Sequence, residues 1–397
     1  MTMMGTNTQI LAFALATAAV VCSLYNERGF WSLISGFRFI RTNNQTTTSR
    51  ATSGHWVYNH NKLRPPYNFS QQMCKSSYMN IDNCKKAQFC QGDLMNWIYL
   101  DKNNTPVPQF SVDGFRRKMS NKRLVFVGSS LMRQQVQALA WTLGHEHINW
   151  TKTQMPQELK ELFGKSCTAA RYCLTDIQDN ITLCFQFMGN MASNVYHEQI
   201  NSAEKNSTGG LNVRNYTLDI ALLGHGDSSC LLRDDMIADL AEFDVVFVQS
   251  VAWWVSLKTK LSSATTPEEW VLKMTPVVYY DALNAFLTKI SKRTQTVFVL
   301  GQIGSDCQNK TEPELFAASN IPDNYGWTLA PKLWNTSLAL IEEQNLNVQV
   351  VDARDPLMQS VHAHPSRKPD CLHFCMDSAA VNIYLDLYWN EVFSQFL

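Results

Sequence analysis

From residue 122 to its C-terminus the chain alternates short, nearly continuous apolar runs with longer stretches of helical length. The runs are Arg123–Val127 (RLVFV), Thr182–Phe187, Val245–Gln249 (VVFVQ), Thr296–Leu300 (TVFVL) and Val348–Asp352. A strand with one wet face alternates apolar and polar residues, whereas a strand covered on both faces stays apolar throughout. These runs therefore predict parallel strands buried on both sides. The helical stretches are Leu131–Leu143, Pro267–Lys292, Pro331–Gln344 and Ser378–Phe396. Such alternation predicts an α/β domain, a doubly wound, mainly parallel sheet sandwiched by helices. In sheets of this kind a ligand site lies beyond the carboxyl ends of the strands.

The residues ahead of this core, 55–121, are rich in Cys, Asn and aromatic side chains without a clear period. They predict a loop-rich lead-in stapled by disulfides, so that 55–121 and 122–397 together make one domain, 55–397. Before it, residues 26–54 contain TNNQTTTSRATSG and read as a stem or linker. Ile10–Tyr25 is a run of sixteen uncharged residues. A spanning helix needs about 20 apolar residues, with a lower limit near 17. Residues 1–25 are thus a short signal anchor or a cleaved signal peptide, with Ser23 before a conceivable cut. No Lys or Arg precedes the run, and Arg28, Arg38 and Arg41 follow it. Taken alone, that asymmetry argues against a cytoplasmic N-terminus.

Two further features fit export. Nine N-x-S/T sequons occur, at Asn44, Asn68, Asn103, Asn149, Asn180, Asn206, Asn215, Asn309 and Asn335. Of eleven cysteines, Cys22 lies in the apolar run, which leaves an even ten beyond it, enough for up to five disulfides of open pairing. Zinc at Cys371, His373 and Cys375 is the weaker alternative, because clustered C-x-x-C spacing is absent. Lys+Arg and Asp+Glu both number 34, so the chain shows no electrostatic footprint for nucleic acid. Hydrophobic residues at 45% exclude a disordered chain.

At the end of the first strand stand Gly128-Ser129-Ser130, with a helix starting at Leu131. A hydroxyl there sits at the top of the sheet, beside backbone N–H groups that favour developing negative charge. Two readings are open. The serines cap the helix, or one is a nucleophile served by a distant base. Near the C-terminus, Asp370 precedes His373 by three residues, a spacing that lets a carboxylate hold one ring nitrogen and leave the other as a base.

The combination resembles a known family. Gly128-Ser129-Ser130-Leu131-Met132-Arg133-Gln134-Gln135 is similar to the G-D-S-L-x-R-N-Q block of the trichome-birefringence-like proteins. Those are PC-esterase, SGNH-type polysaccharide O-acetyltransferases. Asp370-Cys371-Leu372-His373-Phe374-Cys375 resembles their D-C-x-H-W-C block. Asp244–Gln249 with Trp253-Trp254 resembles their D-V-L-V-F-N-T-G-H-W-W strand, and Trp97 fits the Cys-rich lead-in. The chain departs from the pattern at Ser129 (Asp in the family), Gln249 (Asn), Val251 (Gly) and Ala252 (His).

The resemblance implies an SGNH-hydrolase-like fold with Ser130 as nucleophile, His373 as general base and Asp370 orienting it. Oxyanion donors would be the Ser130 N–H, with Gly189 and Asn190 after the second strand, or the longer amide of Gln249. Arg133, Trp253 and Trp254 are candidate substrate contacts, each with a packing or ion-pair alternative. The implied activity is transfer of an acetyl group, through an acyl-serine, to a polysaccharide or glycan hydroxyl. The resemblance implies no bound cofactor or metal, with the acetyl donor, acetyl-CoA or an acetylated carrier, as a co-substrate. The implied setting is the Golgi lumen, on one N-terminal membrane helix, with secretion as the alternative. Rival functions are a carbohydrate acetylesterase and a non-catalytic glycan-binding protein on the same fold.

Overall fold

The computed structural model describes residues 53–58, 95–143, 148–151, 171–176, 178–187, 234–251, 254, 268–301, 329–358, 373–374 and 379–396. The predicted segment 1–25 and most of the stem lie outside them, as do Asp370, Gly189, Asn190 and Trp253. Among the described residues no helix is long and apolar enough to cross a membrane.

The elements run β1 (Ser53–Tyr58), β2 (Met95–Leu100), α1 (Val112–Met119), β3 (Arg123–Gly128), α2 (Ser130–Thr142), β4 (Ile148–Thr151), β5 (Arg171–Asp176) and β6 (Ile181–Phe187). They continue through α3 (Asp234–Leu240), β7 (Val245–Gln249), α4 (Glu268–Ile290), β8 (Gln295–Leu300), α5 (Ala330–Glu343), β9 (Val348–Asp352), α6 (Arg354–Met358) and α7 (Ala379–Leu387). All five predicted strands are present. They are β3, β6, β7, β8 and β9, and their mutual pairings are parallel.

One sheet holds seven strands in the order β4-β5-β6-β3-β7-β8-β9. β4 and β5 add antiparallel neighbours at the β6 edge. The chain leaves β3, returns on one side as β6, and crosses to the other side as β7. β3 therefore flanks the point where winding reverses, and its carboxyl end is the place such sheets offer a ligand.

Successive side chains of β3 go to opposite layers. Leu124 and Phe126 join a core with Met132, Val136 and Leu139 of α2, Phe115 of α1, and Tyr384 and Leu385 of α7. Val125 and Val127 join a second core with Phe286 and Leu287 of α4 and Leu333 and Trp334 of α5. Each fully buried aliphatic or aromatic side chain contributes about 1.5–3 kcal/mol, so both layers are needed to hold the strand.

β4 and β5 were not foreseen. In β5 the pattern is masked by a buried acid, since Asp176 is 2% exposed. Arg116 on α1 neutralises it at 3.0 Å. Cys173 and Cys184 face each other across β5 and β6 and form a disulfide. The region expected to be loop-rich also contains β1 and β2, an antiparallel pair, and α1. Gly54 in β1 leaves room for the Trp97 ring of β2, which would collide with any Cβ there.

The predicted last helix, Ser378–Phe396, is broken into α7, a π turn (Tyr388–Val392) and a 3₁₀ turn (Phe393–Gln395). Asn390 Nδ2 donates to the Asp386 carbonyl (2.8 Å), the acceptor an α-helix offers to the backbone N–H of residue 390. This side-chain competition widens the turn.

Asp386 ties α7 to the approach of α1 by accepting the Phe110 N–H at 2.7 Å. Burial pushes its carboxyl up from 3.8 to about 7, against the opposing pull of that hydrogen bond. The folded state thus holds its proton more tightly than the unfolded chain. Stability from this group is complete below the unfolded value and is lost as pH rises toward about 7. Asp386→Asn keeps the acceptor oxygen and removes the charge. It is expected to be more stable than wild type at pH 8 by on the order of 4 kcal/mol, a gain that shrinks toward zero near pH 4. Urea unfolding at the two pH values measures the difference.

Candidate active site

Gly128 closes β3 opposite Gln249 of β7. A Cβ on Gly128 would stand 2.5 Å from the Gln249 carbonyl oxygen and 3.2 Å from Met132 Cβ. Glycine lets the two strand ends and the first turn of α2 converge at this point.

The next two serines divide the roles left open by the sequence. Ser129 is 3% exposed. Its Oγ accepts the Leu131 N–H at 3.2 Å, and its carbonyl accepts the Arg133 N–H at 3.2 Å. Ser129 is thus consumed in starting the helix. Ser130, first residue of α2, is half-buried. His373 Nε2 lies 2.7 Å from Ser130 Oγ, across 243 positions of sequence.

That distance is within reach of proton transfer between a hydroxyl and an imidazole. With the ring proton on Nδ1, Nε2 accepts the Ser130 O–H and can take its proton. The N-terminal end of the 13-residue α2 supplies backbone N–H groups and the positive end of a helix dipole beside the same oxygen. The arrangement can therefore generate an alkoxide-like nucleophile and stabilise the negative charge that follows its attack.

The remaining predicted residues fall in different places. Arg133 is half-buried in the first turn of α2. Trp254 is fully buried, with its ring edge-on to Tyr279 at 5.4 Å between centroids. It belongs to the core on the α4–α5 side, so packing rather than sugar stacking accounts for it. Gln249 is 3% exposed. Its Oε1 accepts from Gln135 Nε2 in a long hydrogen bond of 3.5 Å, and Gln135 Oε1 accepts from the Tyr388 hydroxyl. Its Nε2 and the Tyr384 hydroxyl both crowd the space over Gly301, where either would collide with a Cβ. Burial raises the pKa of the Tyr384 and Tyr388 hydroxyls, so both stay protonated, and Tyr388 is the donor to Gln135. Asp370, Gly189, Asn190 and Trp253 lie outside the described residues.

One residue near the pair was quoted in a sequence block without a role. Gln134, buried at 3%, bonds through its side-chain amide to the backbone of Phe374, next to His373. The legible signal was its spacing, four residues after Ser130, which places both on one face of α2. No protein-family model matches the chain, and no curated protein matches it.

Proposed function

We propose that the chain is a serine-dependent O-acyltransferase of SGNH type that moves an acetyl group onto a glycan or polysaccharide hydroxyl. The observation that carries this reading is the 2.7 Å approach of His373 Nε2 to Ser130 Oγ at the carboxyl end of the central strand. The family resemblance supplies the substrate class, and with it a Golgi setting on one N-terminal membrane helix.

The chemistry follows in two halves. Ser130 Oγ attacks the acetyl carbonyl of the donor while its proton passes to His373 Nε2. The carbonyl oxygen becomes an oxyanion, which the Ser130 N–H at the start of α2 is placed to stabilise. Gly189 and Asn190 are the candidate further donors; the Gln249 amide is buried in the Gln135–Tyr384 cluster. The tetrahedral intermediate collapses, the bond to the donor breaks, and His373 returns the proton to the leaving group. In the second half a sugar hydroxyl loses its proton to His373 and attacks the acetyl-serine. Collapse forms the sugar ester and restores the Ser130 hydroxyl. Asp370 holds the other ring nitrogen in this scheme. No metal is required, because the base and the helix terminus supply both proton transfer and charge stabilisation.

The test uses p-nitrophenyl acetate labelled in the acetyl group, with the full chain purified from a secretory host. The expected result is a nitrophenolate burst matching the enzyme present, label on the peptide carrying Ser130, and faster loss of that label when an oligosaccharide acceptor is added. Label lost only to water marks an acetylesterase. Absence of both burst and labelled peptide overturns the reading in favour of a glycan-binding protein.

A further inference from the structure

Phe374, next to His373, is anchored in two independent ways. The Phe374 ring lies in the α2–α7 core, 5% exposed. Its backbone meets the side chain of Gln134, whose Nε2 donates to the Phe374 carbonyl at 2.8 Å and whose Oε1 accepts the Phe374 N–H at 3.3 Å. One hydrogen bond fixes a distance and leaves rotation free. Two bonds from a planar amide to one residue's N–H and C=O also fix orientation.

Ser130 and Gln134 are one helical turn apart on α2 and share a face. Consecutive residues of the His373 segment therefore dock on successive turns of one helix, the imidazole on Ser130 and the Phe374 backbone on Gln134. We infer that Gln134 is a positioning residue, whose amide clamp sets the separation and angle between His373 Nε2 and Ser130 Oγ. The inference rests on reading those two residues as base and nucleophile. The register of the base then belongs to α2, the same rigid element that carries the nucleophile.

A purely structural role makes a different prediction, so the variants are chosen to separate the two. Gln134→Leu keeps the volume and removes both bonds. Gln134→Glu keeps the acceptor, loses the donor when ionised and regains it when protonated. Ser337→Ala is the control for stability alone. Ser337 is fully buried on the opposite side of the sheet, where its Oγ bonds Tyr279 and the Leu333 carbonyl.

The measurement is the second-order rate of labelling by a fluorophosphonate probe, from pH 6 to 9, on the full chain, with the melting temperature of each variant. Gln134→Leu is expected to label about 100-fold more slowly than wild type, the cost of roughly 1 Å of misplacement. Ser337→Ala is expected to lose stability and keep its labelling rate within about twofold. The rate of Gln134→Glu relative to wild type is expected to climb as pH falls. Labelling of Gln134→Leu at the wild-type rate, or an equal loss in Ser337→Ala, overturns the inference.

Should wild type itself fail to label, the nucleophile reading falls, and the His373 ¹⁵N-imidazole spectrum decides the clamp separately. A moved Nε2 resonance in Gln134→Leu sustains the positioning role, and an unmoved one overturns it.

Discussion

Ser130→Ala is expected to abolish covalent labelling by a fluorophosphonate and to cut acyl transfer by about 10⁴- to 10⁶-fold. His373→Ala is expected to match it. On the proposed reading the two act as one unit, so losing either would remove the activated nucleophile and the double variant would cost little more. Ser129→Ala is the contrast. Its hydroxyl accepts the Leu131 N–H and is buried, so its loss removes a cap worth about 1 kcal/mol and leaves the labelling in place. The three variants run side by side separate chemistry from capping within one dipeptide. Labelling retained in Ser130→Ala would sink the assignment.

The largest effect on stability is expected from Phe247→Ala. Phe247 is fully buried at the middle of β7. Its ring stacks on Phe126 of β3 at 4.4 Å, with 6° between planes, and meets Tyr388 at 4.7 Å and Phe393 at 5.8 Å. Truncation removes the transfer free energy of the ring and leaves a cavity between the sheet and the C-terminal turns. The cost is expected to be about 3–5 kcal/mol, read as a lower urea midpoint. Because the same layer seats α2, labelling of Ser130 in the folded fraction is expected to slow as well.

The legibility of the fold followed the burial of each strand. β3, β7 and β8 lie between two helical layers, and their unbroken apolar runs located them to within a residue. β5 carries a buried acid whose partner, Arg116, lies on an earlier helix, so its pattern is readable only with the fold in hand. The break after α7 was equally hidden, since Asn390 takes a carbonyl that composition assigns to the helix. At the site, chemistry-bearing residue types were visible and packing contexts were not. Ser130 and His373 were picked out and do meet. Trp254 and Gln249 were picked out by the same logic, yet both side chains are buried, and burial depends on which layer covers each strand end. Gln134 escaped because glutamine has no chemistry of its own, and its value lies in matching another residue's backbone.

The pair that meets at the carboxyl end of β3 joins residues 243 positions apart. A ribosome that has made the serine has most of the sheet still to synthesise, and the imidazole follows only after β9. Tyr388 and Phe393, which pack on Phe126 and Phe247, come later still. A chain that stops before residue 373 therefore holds Ser130 without the His373 imidazole beside it and an unfinished core. On the proposed reading, reactivity toward acyl donors arises only once the His373 segment has been made and has folded against α2. Under that reading, a copy that stops short of this segment would neither consume the donor nor carry a stranded ester.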